Sequence, residues 1–268
     1  MTPPFFLIDP AALAEVSDAA CLTLEGAEGH HAVHVRRLTI GEPIVLADGF
    51  GNAAAGTVAE VNKASLVVAV EHRWSEPEPE PRITVVQALI KGDRMDQAVE
   101  QLTEVGVDAV VPWSATHSIV RWKGDTADNG VAKLQRRAQE SAKQARRVRF
   151  PIVEPVASTD NVRDALAGYD LAIALDESAA NSIVDVADTS VVDAGSVCLI
   201  VGPEGGISGD ELEHFQAAGI RTARMGPTVM RAATASVSAA TWLMGASGRW
   251  SNTGPNTANA SMKDWADE

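Results

Sequence analysis

The stretch "LIVGPEGGISGDELEHF", Leu199 to Phe215, decides how this chain is read. "CLIVG" has the continuous apolar character of a strand buried on both faces. Ser208 and Glu211 stand in the S-x-x-E spacing of a capping box, Leu212 and Phe215 supply a helix's apolar side, and Gly219 follows as its stop. Gly202–Gly206 is therefore expected to be a strand-to-helix loop at the carboxyl end of a parallel strand, where open α/β sheets bind ligands. Glycines let a backbone come close to a ligand and adopt positive φ. The N–H groups ahead of the helix are free to act as donors. Glycines alone are equally compatible with a tight turn that binds nothing. The loop is not G-x-x-x-x-G-K-[ST], nor is it G-x-G-x-x-G. The nearest dinucleotide-like string, "GFGNAA" from Gly49 to Ala54, lies between two strand patterns and reads as a hairpin turn.

A second unusual stretch, "MGPTVMRAATASVSAA", runs from Met225 to Ala240. Gly226 and Pro227 break the chain, and Arg231 stands just before a helix of small residues. A cation at a helix start is opposed by the helix dipole. A substrate phosphate or carboxylate would offset that cost, and so would a surface salt bridge.

Outward from these two stretches the pattern is strand alternating with helix. "ITVVQALI", "VDAVVPW", "LAIALD", "SVCLIVG" and the weaker "RTARM" read as strands. "DRMDQAVEQLTEVG" reads as a helix with Asp93 as N-cap and Met95, Val99, Leu102 and Val105 on one stripe. Further helices fall on "VAKLQRRAQESAKQARR", "SGDELEHFQAAG" and "AATASVSAATWLMGA". This implies a mostly parallel sheet covered on both faces. The first part of the chain differs. "PIVLAD", "AGTVAEV" and "SLVVAVEH" are short, valine-rich and separated by turn signals, as in a compact β-barrel. Between the two parts, "WSEPEPEPR" has the extended character of a linker. The expected organisation is a β-barrel over 1–73, a linker over 74–82, an α/β domain over 83–250 and a disordered tail over 251–268.

The chain has 268 residues, 46% of them hydrophobic, enough for two modest cored domains. The first 30 residues show no secretory signal, and no stretch is long and apolar enough to span a bilayer. Cys21 and Cys198 are far apart, with Cys198 inside a buried-strand pattern, which points to a reduced, cytoplasmic setting and no disulfide framework. The formal net charge of −14 excludes a surface coated for nucleic acid and leaves room for a local basic patch.

"GPEGGISGDEL" followed by "MGPTVMRAATA" resembles the SPOUT methyltransferases, in particular the bacterial 16S ribosomal RNA uridine-N3 methyltransferases. "HHAVHVRRLTIGEPIVLADGFG" is similar to that family's N-terminal PUA-like barrel, and "KGDRMDQAVEQLTEVGVDAVVPW" and "RRAQESAKQARRVRFPIVEP" to the start of its catalytic domain. The resemblance implies an α/β domain with a deep trefoil knot, an exception to the usual topology rules, and a homodimer with its site near the subunit interface. It implies S-adenosylmethionine held by Leu175, by Gly202, Pro203, Glu204, Gly205 and Gly206, and by Met225, Gly226, Met230, Arg231 and Ala232. The product would be N3-methyluridine in 16S rRNA of the small ribosomal subunit. The family often carries R-x-E-T-A; here "RAATA" places Ala233 at the glutamate position.

N3 lies on the Watson–Crick edge, so the target uridine must be single-stranded or flipped out. Loss of its proton calls for a base, which the sequence does not identify. Arg231 is the candidate catalytic residue, to position a phosphate or stabilise charge on the uracil oxygens. RNA contact is expected from Lys133–Arg149, which holds seven basic residues and one acid. The candidates there are Arg136, Arg137, Lys143, Arg146 and Arg147, with Arg36 and Arg37 as a weaker second patch. A solvated helix face is the plainer reading of such a run. His30, His31 and His34 lack a completing carboxylate or cysteine, so no metal is expected. Trp113 and Trp122 read as packing anchors rather than base-stacking platforms. The competing functions are a SPOUT enzyme acting on another RNA and a non-catalytic RNA-binding protein with Ala233 marking a dead site. A nucleotide-dependent dehydrogenase fails for want of a fingerprint between a strand and a helix.

Overall fold

The computed structural model describes residues 2–14, 20–187 and 190–251. Beyond Ser251, the expected disordered tail lies outside the described residues. The described residues divide into two compact units, one of residues 2–14, 20–78 and 142–150, the other of 79–141, 151–187 and 190–251. The first division falls between Glu78 and Pro79. Residues 142–150, which the sequence reading assigns to the second domain, belong to the first unit because Val148 is fully buried with Ala47 and Ala53.

The first unit is built on a five-stranded sheet of order β1-β3-β4-β5-β2. Its strands are β1 (Phe5–Leu7), β2 (Cys21–Leu24), β3 (Pro43–Ala47), β4 (Asn52–Val61) and β5 (Leu66–Ser75). β1 and β3 are parallel and the other pairs antiparallel. Sequence reading found β3, β4 and β5 but not β1 and β2, which are too short for periodicity to register. Helix α1 (Pro10–Ala14) precedes β2, and α2 (Gly26–His30) runs on into a π-helical turn over His31–Val35. Register shifts at Ala55/Gly56 and Val58/Glu60 let the long β4–β5 hairpin curl around Phe6, Leu22, Ile44, Leu46, Leu66 and Val68. Glycine is required at the first shift, where a Cβ on Gly56 would lie 2.0 Å from the Ala69 carbonyl oxygen. "GFGN" is the β3–β4 turn, with Asp48 accepting from the amides of Phe50 (2.7 Å) and Asn52 (3.0 Å).

The second unit carries a six-stranded, wholly parallel sheet. Its strands are β6 (Arg82–Ala88), β7 (Ala109–Trp113), β8 (Ile152–Val153), β9 (Leu171–Leu175), β10 (Ser196–Val201) and β11 (Arg221–Ala223), in the order β11-β9-β10-β6-β7-β8. The helices are α3 (Asp93–Val105), α4 (Asp125–Gln144), α5 (Thr159–Leu166), α6 (Ile183–Ala187), α7 (Ser190–Asp193), α8 (Gly209–Ala217) and α9 (Ala232–Ala246). β10 shows why the sheet needs cover on both faces. Val197, Leu199 and Val201 enter one core with Leu102 and Leu243, while Cys198 and Ile200 enter the other with Trp113 and Phe215. Cys198 is fully buried, and burial pushes its thiol pKa up, as for an inert core residue. Trp113 packs on Phe215 with ring centroids 5.6 Å apart.

Helix α3 starts one residue earlier than expected. Gly92, at φ 61°, is the N-cap, and Asp93 sits in the first turn with Asp96, where carboxylates suit the dipole. The other stop and start signals hold: Ser208 and Glu211 form the capping box of α8, and Gly219 follows it at φ 81°. No described helix is long and apolar enough to cross a membrane.

Candidate active site

β9, β10 and β11 lie near one edge of the parallel sheet, and the loops after their carboxyl ends converge. They enclose a cleft of about 630 Å³. Leu175, Asp176, Glu177 and Ser178 come from the loop after β9. Val201, Gly202–Gly206 and Ile207 come from the loop after β10. Arg224–Ala232 come from the loop after β11. Every residue expected to hold a cofactor lines this cleft: Leu175, Gly202, Pro203, Glu204, Gly205, Gly206, Met225, Gly226, Met230, Arg231 and Ala232.

The glycine loop is tightly wound. A Cβ on Gly202 would meet Ile207 Cγ1 at 2.7 Å and its amide nitrogen at 3.0 Å. Gly206 has φ 73°, and its amide donates to the Pro203 carbonyl at 2.9 Å. The loop is also held from outside. Arg94 pairs with Glu204 at 3.3 Å. Glu211 is buried, and its carboxylate accepts from the Ser208 amide (3.0 Å) and hydroxyl (2.8 Å), the Thr116 amide (2.8 Å) and hydroxyl (3.0 Å), and the Thr159 hydroxyl (2.9 Å). Burial alone would raise the Glu211 pKa, but these donors outweigh it and the net shift is downward. The capping residue is thus also a knot of hydrogen bonds joining α8, the start of α5 and the segment after β7.

Arg231 is the N-cap of α9, is exposed, and makes no ion pair among the described residues. The salt-bridge reading of this residue is not realised among the described residues, and Arg231 lines the cleft. Arg224 is tied down, donating to the carbonyls of Ala179 (2.8 Å) and Ala180. Asp176 was missed by sequence reading, although a carboxylate directly after "LAIAL" could have flagged it. It accepts from the Ser178 amide (3.1 Å) and hydroxyl (2.8 Å). Ala233 lies in the first turn of α9, packed against the core.

The basic run is less coherent than its string. Lys133, Arg136 and Arg137 belong to the second unit; Lys143, Arg146, Arg147 and Arg149 belong to the first. Lys133 pairs with Asp96 at 2.6 Å, and Arg137 with Glu100 at 3.6 Å. Lys143 is a correction. It is buried and paired with Glu28 at 2.7 Å, because the end of α4 folds into the first unit's core, so it offers no charge to a ligand. Arg136, Arg36 and Arg37 are exposed, and Arg146 is half-buried at φ 56°. Trp113 is fully buried and Trp122 packs against the core, as expected of anchors. The His30 and His34 rings pack tilted at 45°, with centroids 4.4 Å apart.

The model of an RNA methyltransferase domain matches residues 76–244, and that of an RNA methyltransferase PUA domain matches 24–71. The chain is 41% identical over 220 residues to a ribosomal RNA small subunit methyltransferase E from Mycobacterium bovis, covering 81% of this chain and 83% of that protein. It is 28% identical over 226 residues to the protein of the same name from Bacillus subtilis, covering 82% and 88%. The crystal structure of a ribosomal RNA small subunit methyltransferase E from Neisseria gonorrhoeae, bound to S-adenosyl methionine, shares the fold with a TM-score of 0.77 at 24% identity, covering 91% of this chain and 97% of that one. With its parallel-sheet domain, its PUA domain and these relatives, the chain belongs to the RNA methyltransferase family, among the ribosomal RNA small subunit methyltransferases E.

Proposed function

We propose that this chain transfers a methyl group from S-adenosylmethionine to N3 of a uridine in 16S rRNA of the small ribosomal subunit, the decoding-region uridine by resemblance. The observation that carries this reading is the convergence of three loops, far apart in sequence, on one cleft lined by all the expected cofactor residues.

The residues suit that cofactor. About 630 Å³ is in the range of small-molecule sites. Leu175, Val201, Ile207, Leu212 and Met225 offer apolar walls, while Asp176, Glu177 and Glu204 offer carboxylates to a positively charged ligand. When bound, S-adenosylmethionine supplies an electrophilic methyl on a sulfonium, so the protein's task is orientation and electrostatics. The wound Gly202–Gly206 backbone shapes the cleft without side chains. Arg231 has no competing partner among the described residues, and in this reading it holds a phosphate or stabilises negative charge on the uracil oxygens as N3 loses its proton. Arg36, Arg37, Arg136, Arg146 and Arg147 are the remaining candidates for RNA phosphates. The trefoil knot, the homodimer and cytoplasmic residence belong to the same reading.

Arg231→Ala tests it. The expected result is loss of turnover with S-adenosylmethionine affinity, measured by calorimetry, changed less than about twofold, as for a group that acts in the transition state. Retained turnover would remove Arg231 from the chemistry. Cofactor binding without methyl transfer to any RNA by the unsubstituted protein would favour the non-catalytic reading that Ala233 raises.

A further inference from the structure

The segment Ser114–Arg121 follows β7, is not among the residues lining the cleft, and yet is tied to its glycine loop. His117 Nδ1 lies 3.0 Å from the Gly205 carbonyl oxygen and 3.2 Å from that of Gly206. Both partners are carbonyls, which only accept, so Nδ1 must carry the proton and donate. The His117 side chain also abuts the loop's backbone: a Cβ on Gly205 would lie 3.1 Å from His117 Cβ and 3.6 Å from its Cγ. The segment that presents His117 is itself fixed at several points. Arg121 donates to the carbonyls of Ala115 (2.5 Å) and Thr116 (2.7 Å). Thr116 is bound through amide and hydroxyl to Glu211, the buried carboxylate that also caps α8. Arg121 and Glu211 thus hold the segment, and the segment holds the carbonyls of the loop's two adjacent glycines.

Two consecutive glycines are the most pliable backbone in the cleft, and every conformation they visit without ligand must be given up when one binds. Glycines shape the loop but do not by themselves fix it. An exposed donor bridging both of their carbonyls from behind restricts them and leaves the cleft side unobstructed. We propose that His117 is a positioning residue that latches the Gly205–Gly206 backbone in its ligand-holding shape from outside the cleft. The inference rests on the reading of the cleft as the S-adenosylmethionine site.

The test compares His117→Ala, His117→Phe and His117→Asn in the full-length protein. Calorimetry with S-adenosylmethionine and amide hydrogen exchange of residues 204–207 are the readouts beside turnover. Losing one hydrogen bond of ordinary net worth should weaken cofactor binding and raise its KM about 3- to 10-fold in the alanine variant, with kcat and the KM for RNA unchanged. Exchange in the loop should accelerate. The phenylalanine variant keeps the packing but cannot donate, and should behave like alanine. The asparagine variant can donate from nearly the same place, and should recover most of the affinity. Unchanged cofactor affinity in the alanine variant, with slow exchange in the loop, would overturn the latch. So would a phenylalanine variant that binds as well as the unsubstituted protein, since packing would then suffice. If the unsubstituted protein itself bound no S-adenosylmethionine while exchange still rose in the alanine variant, the reading of the cleft would fail rather than the latch.

Discussion

Gly202–Gly206 and Lys133–Arg149 are both short runs of one character, and the fold treats them differently. The glycine loop keeps its unity: its residues line one cleft, Arg94 and His117 bond to it directly, and Glu211 fixes the segment that carries His117. The basic run is dispersed. Its residues divide between two compact units, two are paired on the surface with Asp96 and Glu100, and Lys143 is buried against Glu28. The contrast has a physical origin. A loop motif constrains the backbone, so adjacency in sequence is adjacency in space. A charge run along a helix constrains only side chains, which point around the axis every 3.6 residues and find whatever partner each direction offers.

Substitution should expose that difference in order of size. Gly202→Val would drive a side chain into Ile207 and should weaken S-adenosylmethionine binding about 100-fold by calorimetry, since the loop cannot open without leaving the cleft. Cofactor binding within threefold of the unsubstituted protein would show that the loop is a turn and nothing more. Lys143→Ala should lower stability by about 3 kcal/mol in denaturant unfolding, because it strands Glu28 half-buried without its cation. If Lys143→Ala instead left stability unchanged and weakened RNA binding, the run would be one functional surface after all. Arg136→Ala should do the reverse: stability unchanged, affinity for ribosomal RNA down about fivefold, and the salt dependence of binding reduced by about one counterion.

The smallest effect concerns pH. The Glu211 pKa is held below its ordinary value in the folded state. A depressed carboxylate contributes stability above its unfolded pKa, and that contribution is lost as pH falls through the folded value. Acid unfolding of Glu211→Gln should therefore be shallower on the acid side of about pH 4.3, the unfolded carboxylate value. Parallel curves for the two proteins would mean that the hydrogen bonds to Glu211 do not distinguish its charged form.

The same contrast marks how far the sequence could be read. The parallel sheet was legible because β10 is apolar without interruption and each of its faces meets a different core. The cleft was legible because its loops carry backbone signals: Gly202 for close approach, Gly226 and Pro227 for a break, and Ser208 with Glu211 for a helix start. Asp176 went unremarked although it directly follows a readable strand. The bracing role of His117 left no trace in the string, since nothing marks a polar loop residue that reaches 88 positions along the chain to Gly205. The burial of Lys143 was equally hidden, for it depends on residues 142–150 joining a unit that sequence order had already closed.

One measurement bears on the central claim most directly: incubation with labelled S-adenosylmethionine and small ribosomal subunits from cells lacking this protein, followed by nucleoside digestion. The account predicts label in 3-methyluridine, with Ala233 in place. Label in another nucleoside would contradict the assigned position. Absence of label together with absence of cofactor binding would contradict the reading of the cleft itself.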